Sequence, residues 1–168
     1  LFVGAEGKME MQKVPEAGYE IVGLPIAGLV RGVSVRNIYV AWKLFRSMLK
    51  SSQIIRMYKP DVVIGVGGYA SGPVLRQAQD MGIPTLIQEQ NSYAGVTNKL
   101  LAKKAERICV AYDGMEKYFP KEKILLTGNP VRHSFNNLDS LRVEAYDHFR
   151  LKDGMPVILV LGGSLGAG

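Results

Sequence analysis

Two glycine-rich segments in the sequence have the composition of loops that bind phosphate groups. The first covers residues 65–72 and reads GVGGYASG, and the second covers residues 162–167 and reads GGSLGA. Each follows an apolar segment that is typical of a buried strand. Glycines let the backbone approach a ligand closely, and a helix that starts behind them offers free N–H groups and the positive end of its dipole. We therefore interpret both segments as candidate anion sites, although a tight turn without a ligand has the same composition.

Polar residues follow two further predicted strands. Gln88-Glu89-Gln90-Asn91 places four hydrogen-bonding side chains at the end of one strand, which suits recognition of a sugar. Glu89 could act as a general base, but a structural role is the stronger interpretation because the sequence shows no partner for it. Arg132 follows Gly128-Asn129-Pro130-Val131, where it could clamp a phosphate or form a salt bridge between domains.

Residues 65–70 also fit the dinucleotide-binding pattern GxGxxG/A, and Glu89 lies near the distance expected for an acid that binds ribose. A nicotinamide-dependent oxidoreductase is therefore an alternative. Two features count against it. The motif follows the third strand of the chain instead of opening the fold, and Ser71-Gly72-Pro73 delays the start of the helix.

Predicted strands alternate with predicted helices along the chain. This alternation indicates an α/β protein with a Rossmann-like, doubly wound parallel sheet. Ligands of such sheets bind beyond the carboxyl ends of the strands, so the four glycine-rich or polar segments should meet at one edge. The predicted strands are 1–3, 19–24, 61–64, 84–91, 107–112, 124–127 and 156–161, and the predicted helices are 8–16, 34–58, 73–81, 97–104 and 141–149.

The long helix predicted over 34–58 has a helical repeat of apolar residues. Val35, Ile38, Trp42, Phe45 and Leu49 recur at the spacing of one helix face, which predicts that this face packs on the core.

The sequence divides into two predicted domains. Residues 1–134 form an N-terminal domain, polar residues 135–140 form a linker, and residues 141–168 begin a second domain. The chain starts inside a strand without Met and stops inside a glycine loop, so both ends look cut.

Composition excludes several classes of protein. The single cysteine, Cys109, excludes an internal disulfide and is predicted to be a core residue. Two histidines without a Cys/His cluster argue against a structural zinc site, and we predict no metal and no cofactor. No apolar run reaches the roughly 20 residues that a membrane-spanning helix needs.

The net charge of +6 is unevenly distributed: residues 21–60 contain seven basic residues and no acidic one. Within this zone, apolar residues beside arginines suit the surface of an anionic membrane. Packing of these residues under the long helix is the alternative, and nucleic acid is disfavoured because aromatic residues do not alternate with the basic ones. The predicted membrane patch consists of Ile26, Leu29, Val30, Arg31, Val33 and Arg36.

Taken together, these motifs resemble the MurG family, bacterial transferases that add N-acetylglucosamine to a lipid-linked muramyl-pentapeptide during peptidoglycan synthesis. The resemblance covers essentially the whole chain. It rests on four motifs in the family's order: GVGGYASGP at 65–73, QEQN at 88–91 with AGVTNK at 94–99, GNPVR at 128–132, and GGSLGA at 162–167.

The resemblance implies a GT-B glycosyltransferase with two Rossmann-like domains and an inverting, metal-independent reaction in the cleft between them. The N-terminal domain would receive undecaprenyl-diphospho-N-acetylmuramoyl-pentapeptide and rest on the cytoplasmic face of the membrane as a peripheral protein. The second domain would bind most of UDP-N-acetylglucosamine. By motif, the substrate-binding residues are Asn91, Arg132 and Ser164, the acceptor-diphosphate loop contains Gly67, Gly68, Tyr69, Ser71 and Gly72, and the donor-diphosphate loop contains Gly162 and Gly163.

The sequence departs from the family pattern at both ends and at residue 88. The family's first strand and first glycine loop, with its histidine, would precede Leu1, and most donor contacts would follow Gly168. Gln88 stands where many relatives carry histidine. We therefore expect an acceptor-side fragment that is inactive alone. A nucleotide-sugar epimerase of the same fold is an alternative, beside the oxidoreductase.

Overall fold

The computed structural model describes residues 1–26, 36–131, 138–152 and 154–160, with side chains from residue 39 onward in the second of these ranges. Contacts divide the chain into two compact units, Leu1–Asn129 and Pro130–Gly168. The predicted boundaries at 134 and 140 remain a prediction, because the division by contacts does not define a linker.

Parallel strands alternate with helices through the described part of the first unit. Every paired strand runs parallel to its neighbour, which confirms the α/β class. The elements are β1 (Phe2–Ala5), α1 (Glu10–Glu16), β2 (Ile21–Leu24), α2 (Arg36–Tyr58), β3 (Val63–Gly65), α3 (Gly68–Asp80), β4 (Thr85–Glu89), α4 (Val96–Leu101), β5 (Arg107–Val110) and β6 (Ile124–Leu126), with 3₁₀ turns at Ala102–Lys104, Met115–Lys117 and Lys121–Lys123.

The strands form two parallel sheets, in the orders β1-β2 and β3-β4-β5-β6. Helix α3 contacts both β1 and β3, so it covers the region between the two sheets. An apolar cavity of about 810 Å³ lies there, and its lining includes Val3, Ile55, Ile64, Leu75 and residues 66–71 of the glycine-rich segment. The loop therefore lies beside an apolar cavity at the edge of the larger sheet.

The core lies around the larger sheet. Leu75 of α3, Ile87 of β4 and Ile108 of β5 are fully buried in one cluster with Met115. Helix α3 crosses β3 at Gly65, where a Cβ atom would overlap with the Leu75 side chain. Gly65 is thus required by the close approach of helix and strand and not by an unusual φ.

The predicted core face of α2 is wrong where the side chains are described. Trp42, Phe45 and Leu49 are 52 %, 62 % and 52 % exposed. Val35 and the side chain of Ile38 lie outside the described residues. The buried face instead carries Val40, Ser47, Ser51 and Ile55. Helix α2 packs on α3, and the small serine side chains allow this close packing, whereas bulky residues would hold the helices apart.

Helix α3 begins at Gly68, five residues before the helix start that Pro73 suggests. Pro73 lies inside the helix, where its ring removes one backbone hydrogen bond. The residues of the predicted loop after Gly67 therefore form the first turns of the helix. A delayed helix start is consequently wrong as an argument against a dinucleotide site.

The second unit contains α5 (Leu138–His148), which begins within the predicted linker and three residues before the predicted helix. Asp139 lies in its first turn, where an acidic residue favours helix formation. Residues 156–160 do not form the predicted strand, and Ile158 and Val160 are 87 % and 88 % exposed. An apolar run becomes a strand only when a neighbour completes its hydrogen bonds, and the described residues of this unit provide none.

Within the described ranges, no helix combines the length and the hydropathy needed to cross a bilayer.

Candidate functional site

The segments after β3, β4 and β6 meet at the carboxyl edge of the larger sheet, as predicted for parallel strands. The Gln90 side chain donates a 2.8 Å hydrogen bond to the Val66 carbonyl, which ties the β4 end to the glycine loop. Asn129 Nδ2 donates to the Gln90 carbonyl at 3.3 Å, and Gln88 Nε2 donates to the Gly128 carbonyl at 3.4 Å. The fourth segment, residues 162–167, lies outside the described residues.

The first turn of α3 forms one wall of this edge. Gly67 and Gly68 have φ values of +92° and +75°, a backbone conformation that a side chain would strain. The Ser71 hydroxyl donates to the Gly67 carbonyl, and the Tyr69 side chain is exposed. A Cβ atom on Gly72 would lie 3.3 Å from Thr97 Cγ2, so α3 passes close to α4 here. The N–H groups at the start of α3 can bind an anion.

Glu89 ends β4 and is only 2 % exposed. Its Oε1 accepts hydrogen bonds from the backbone N–H and the side-chain Nδ2 of Asn91, both at 3.1 Å. Its Oε2 accepts from the Gly95 backbone N–H at 3.0 Å and from Asn98 Nδ2 at 2.9 Å. The carboxylate therefore ties the end of β4 to the turn that follows it and to the first turn of α4.

Burial disfavours the charged form of Glu89 and raises the pKa of its carboxyl group. The hydrogen bonds from Gly95, Asn98 and Asn91 favour the charged form and outweigh burial, so they hold this pKa below its ordinary value. Glu89 is thus ionised at neutral pH, although it is almost completely enclosed.

Asn91 is exposed at the sheet edge, and its Nδ2 is committed to Glu89. No group among the described residues donates a hydrogen bond to its Oδ1. The neighbouring amide of Asn98 is 3 % exposed, and its Oδ1 also has no partner in the described part of the chain. The site therefore presents an amide oxygen at its surface and holds a second one inside.

The structure places some of the predicted site residues and leaves the placement of others open. Asn91 and the loop residues Gly67, Gly68, Tyr69, Ser71 and Gly72 lie at the sheet edge just described. Ile26 is half-buried after β2, and Arg36 begins α2. The predicted residues outside the described ranges are Leu29, Val30, Arg31, Val33, Arg132, Gly162, Gly163 and Ser164.

Gly95 and Asn98 belong to the motif AGVTNK at 94–99, but the sequence alone indicates no role for them. Both contact Glu89, and the signal that could have found them is an acidic residue at a strand end followed by Asn and Gly before a short helix. A second missed cluster joins Tyr93, Lys99 and Tyr118. Lys99 Nζ lies 4.6 Å and 5.0 Å from the centres of the two rings, which meet edge to face.

The sequence matches known proteins over nearly its whole length. Residues 2–110 match the profile described as "Glycosyltransferase family 28 N-terminal domain". A protein of Bacteroides fragilis named UDP-N-acetylglucosamine–N-acetylmuramyl-(pentapeptide) pyrophosphoryl-undecaprenol N-acetylglucosamine transferase is 62 % identical over 167 residues. This match covers 99 % of the present chain and 44 % of that protein. A protein of the same name from Flavobacterium psychrophilum is 59 % identical, with 99 % and 46 % covered.

Two solved structures share the fold of this chain. The crystal structure of Acinetobacter baumannii MurG matches with a TM-score of 0.67 and 29 % identity, over 98 % of this chain and 44 % of that one. A UDP-N-acetylglucosamine 2-epimerase from Rickettsia bellii matches with a TM-score of 0.51 and 15 % identity over 90 % of this chain and 44 % of that one, which shows a shared fold only. The chain spans less than half the length of the curated relatives it matches. Because the match to the N-terminal domain of glycosyltransferase family 28 covers residues 2–110, more than half of the sequence, the chain belongs to that family.

Proposed function

We propose that this chain is the acceptor-binding part of a transferase that moves N-acetylglucosamine from UDP-N-acetylglucosamine to undecaprenyl-diphospho-N-acetylmuramoyl-pentapeptide. The observation that carries the proposal is the 62 % identity, over nearly the whole chain, to a protein named for this reaction. The sheet edge supports it, because a helix start able to bind an anion and side-chain amides able to bind a sugar lie side by side there.

The proposed reaction is an inverting transfer. A hydroxyl of the acceptor sugar gives up its proton to a general base and attacks the anomeric carbon of the donor, the bond from that carbon to the diphosphate breaks, and UDP leaves. The N–H groups of residues 68–71 would bind the acceptor diphosphate, and Asn91 would contact a sugar. On the strength of their motifs, Arg132 and Ser164 are proposed substrate contacts, and Gly162 and Gly163 are proposed contacts of the donor diphosphate.

We propose in addition that the exposed face of α2 extends the predicted membrane patch. Tyr39, Trp42 and Phe45 are all more than half exposed, and the first two stack at 6.3 Å between ring centres. Lys43 and Arg46 lie over these rings, at 4.8 Å from Tyr39 and 4.9 Å from Trp42. On this helix the rings do alternate with basic residues, so the sequence-based argument against nucleic acid is wrong for α2. Aromatic rings packed beside cations also suit the headgroup region of an anionic bilayer, which agrees with a lipid-linked acceptor at the cytoplasmic face of the membrane.

A nucleotide-sugar epimerase remains the second candidate because a solved epimerase shares the fold. Such an enzyme acts on a nucleotide sugar without a lipid acceptor. The two proposals therefore differ in whether the acceptor lipid is a ligand of this chain.

Binding to anionic vesicles with and without the lipid-linked muramyl-pentapeptide tests the proposal. We expect the chain to bind both vesicle preparations and to bind the acceptor-containing ones more tightly. Equal binding to the two preparations, together with protection of the chain against unfolding by UDP-N-acetylglucosamine alone, would favour the epimerase.

A further inference from the structure

We propose that Glu89 is a positioning residue that orients the amide of Asn91, so that Asn91 Oδ1 faces the ligand and accepts a hydrogen bond from a sugar hydroxyl or acetamido N–H. This inference rests on the proposed function, because it assigns a sugar to the sheet edge. Glu89 then acts as a positioning residue and not as a general base. The Asn91 amide has one fixed orientation, with its NH₂ group toward Glu89 and Oδ1 toward the ligand.

The Glu89 carboxylate accepts as many hydrogen bonds as it has lone-pair sites. An ionised carboxylate has about four lone-pair sites. Glu89 fills them with two donors on Oε1, both from Asn91, and two on Oε2, from Gly95 and Asn98. With the side chain 2 % exposed, neither oxygen is left to take a proton from a substrate hydroxyl. The group is therefore arranged to hold its neighbours in place.

This carboxylate also imposes an orientation on Asn91. A carboxylate accepts hydrogen bonds and donates none, so only the NH₂ end of the Asn91 amide can face Glu89. The observed bond from Asn91 Nδ2 to Oε1 at 3.1 Å has this polarity. The opposite end of the amide, Oδ1, is left at an exposed position with no donor among the described residues. Asn91 thus presents an acceptor to whatever binds at the edge.

A ligand that matches Asn91 Oδ1 must donate a hydrogen bond to it. Diphosphate oxygens that are ionised at neutral pH only accept hydrogen bonds, so they would meet an unfavourable oxygen at Asn91 and favourable N–H groups at the start of α3. Sugar hydroxyls and acetamido N–H groups donate. The Gln90 bond to Val66 holds these two surfaces side by side, so one ligand that carries both a diphosphate and a sugar can contact the start of α3 and Asn91 together.

A buried residue of α4 also holds the Glu89 carboxylate in place. Asn98 is 3 % exposed on α4 and donates to the same carboxylate as Asn91, so the position of Glu89 is fixed from the helix side as well as from the turn. Loss of the Glu89 charge should therefore release both the turn and the Asn91 amide.

A double-mutant cycle on ligand binding tests the proposal. The variants are Glu89→Gln, Asn91→Ala and the double variant, with Glu106→Gln as an exposed carboxylate control. The probes are a water-soluble short-prenyl diphospho-muramyl-pentapeptide, UDP-N-acetylglucosamine and inorganic diphosphate. Each single variant should weaken binding of a sugar-containing probe by about tenfold, and the double variant should be no weaker than Asn91→Ala alone. If the variants bind the muramyl-pentapeptide probe more weakly, Asn91 contacts the acceptor sugar. If they bind UDP-N-acetylglucosamine more weakly, Asn91 contacts the donor sugar.

Other results would overturn the inference. Additive losses in the double variant would mean that Glu89 does not act through Asn91. A loss of inorganic diphosphate binding in Asn91→Ala as large as that for the sugar probe would contradict the assigned polarity. Since Asn91 is exposed, Asn91→Ala should fold even where Glu89→Gln does not, which keeps this second comparison available.

A different set of binding results is expected if the proposed function is wrong. If the unchanged chain binds neither sugar-containing probe, the proposed function is contradicted, and hydrogen exchange then decides the role of Glu89. The Gly95 amide should exchange about tenfold faster in Glu89→Gln than in Glu106→Gln, because it loses its carboxylate acceptor. Equal exchange in the two variants would show that Glu89 does not hold this turn.

Discussion

Glu89 lies at the end of β4, where burial raises the pKa of its carboxyl group and four hydrogen bonds lower it by more. Because the pKa in the folded state is below its ordinary value of 4.5, the unfolded chain binds more protons than the folded one as the pH falls past that value. The ionised group therefore stabilises the fold above about pH 4.5, and this contribution is lost as the pH falls through the lower folded pKa.

Glu89→Gln should reduce the dependence of stability on pH. Urea unfolding between about pH 3 and pH 6 should give the unchanged chain a free energy of unfolding that rises with pH, with a smaller rise in the variant. Glu106→Gln, which removes an exposed carboxylate, should keep the larger rise. Identical slopes for all three proteins would show that Glu89 is not stabilised in its charged form.

The sequence predicts the cluster at 88–91 but not what each member does. The amino-acid sequence shows polar residues at the end of a predicted strand, so Asn91 and Glu89 could be named as candidates. Whether Glu89 is free or saturated depends on Gly95 and Asn98, which reach it only because the turn folds back on the strand. That distinction between a base and a positioning residue needs the three-dimensional structure.

At the scale of elements, the contact between β3 and α3 depends on Gly65. Its added Cβ would overlap with Leu75, which is completely buried and cannot move without disturbing the core. Gly65→Ala should therefore lower the free energy of unfolding by about 1–3 kcal/mol, as overpacking of a core does.

Chemical denaturation measures this change, with Gly95→Ala as the matched control. A Cβ atom on Gly95 would lie 3.8 Å from Glu89 Oε2, an ordinary contact, and its φ of −62° suits alanine. We expect the control to lose much less stability. A loss in Gly65→Ala no larger than in the control would mean that α3 does not approach β3 as closely as described.

The orientation of α2 could not be predicted from its periodicity. Two faces of this helix repeat at helical spacing, one with Trp42, Phe45 and Leu49 and one with Val40, Ser47 and Ile55. Hydrophobicity favours the first, but close packing on α3 favours the second because serine is small. The exposed aromatic face then requires another explanation, which the proposed membrane contact supplies.

Trp42→Ala should weaken binding of the chain to anionic vesicles by about tenfold, since a large aromatic contact with the bilayer is lost. Vesicle co-sedimentation measures this effect, and added salt should weaken binding of the unchanged chain through its basic residues. Leu100→Ala removes a side chain that is 76 % exposed on α4, outside the proposed patch, and should leave binding unchanged. Equal effects of the two substitutions would argue against α2 as the membrane surface.

For the whole molecule, the alternation of strands and helices was sufficient to predict the α/β class and the meeting of three segments at one sheet edge. It was not sufficient to predict that residues 156–160 lack a strand. The hydrophobic pattern of a segment indicates which secondary structure it can form, whereas the pairing of a strand depends on which neighbouring strands are available to it. Ile158 and Val160 show this, since their composition suits a buried strand and they are exposed.

The central claim is that this chain supplies the acceptor-binding part of an N-acetylglucosamine transferase. The most direct test replaces the matching segment of the Bacteroides fragilis relative with residues 1–168 and measures transfer of labelled N-acetylglucosamine to the lipid-linked muramyl-pentapeptide. We expect no turnover from the 168-residue chain alone, turnover by the hybrid enzyme, and a loss of about tenfold or more when the hybrid carries Asn91→Ala. A folded hybrid that binds UDP-N-acetylglucosamine but transfers no sugar to the acceptor would contradict the claim.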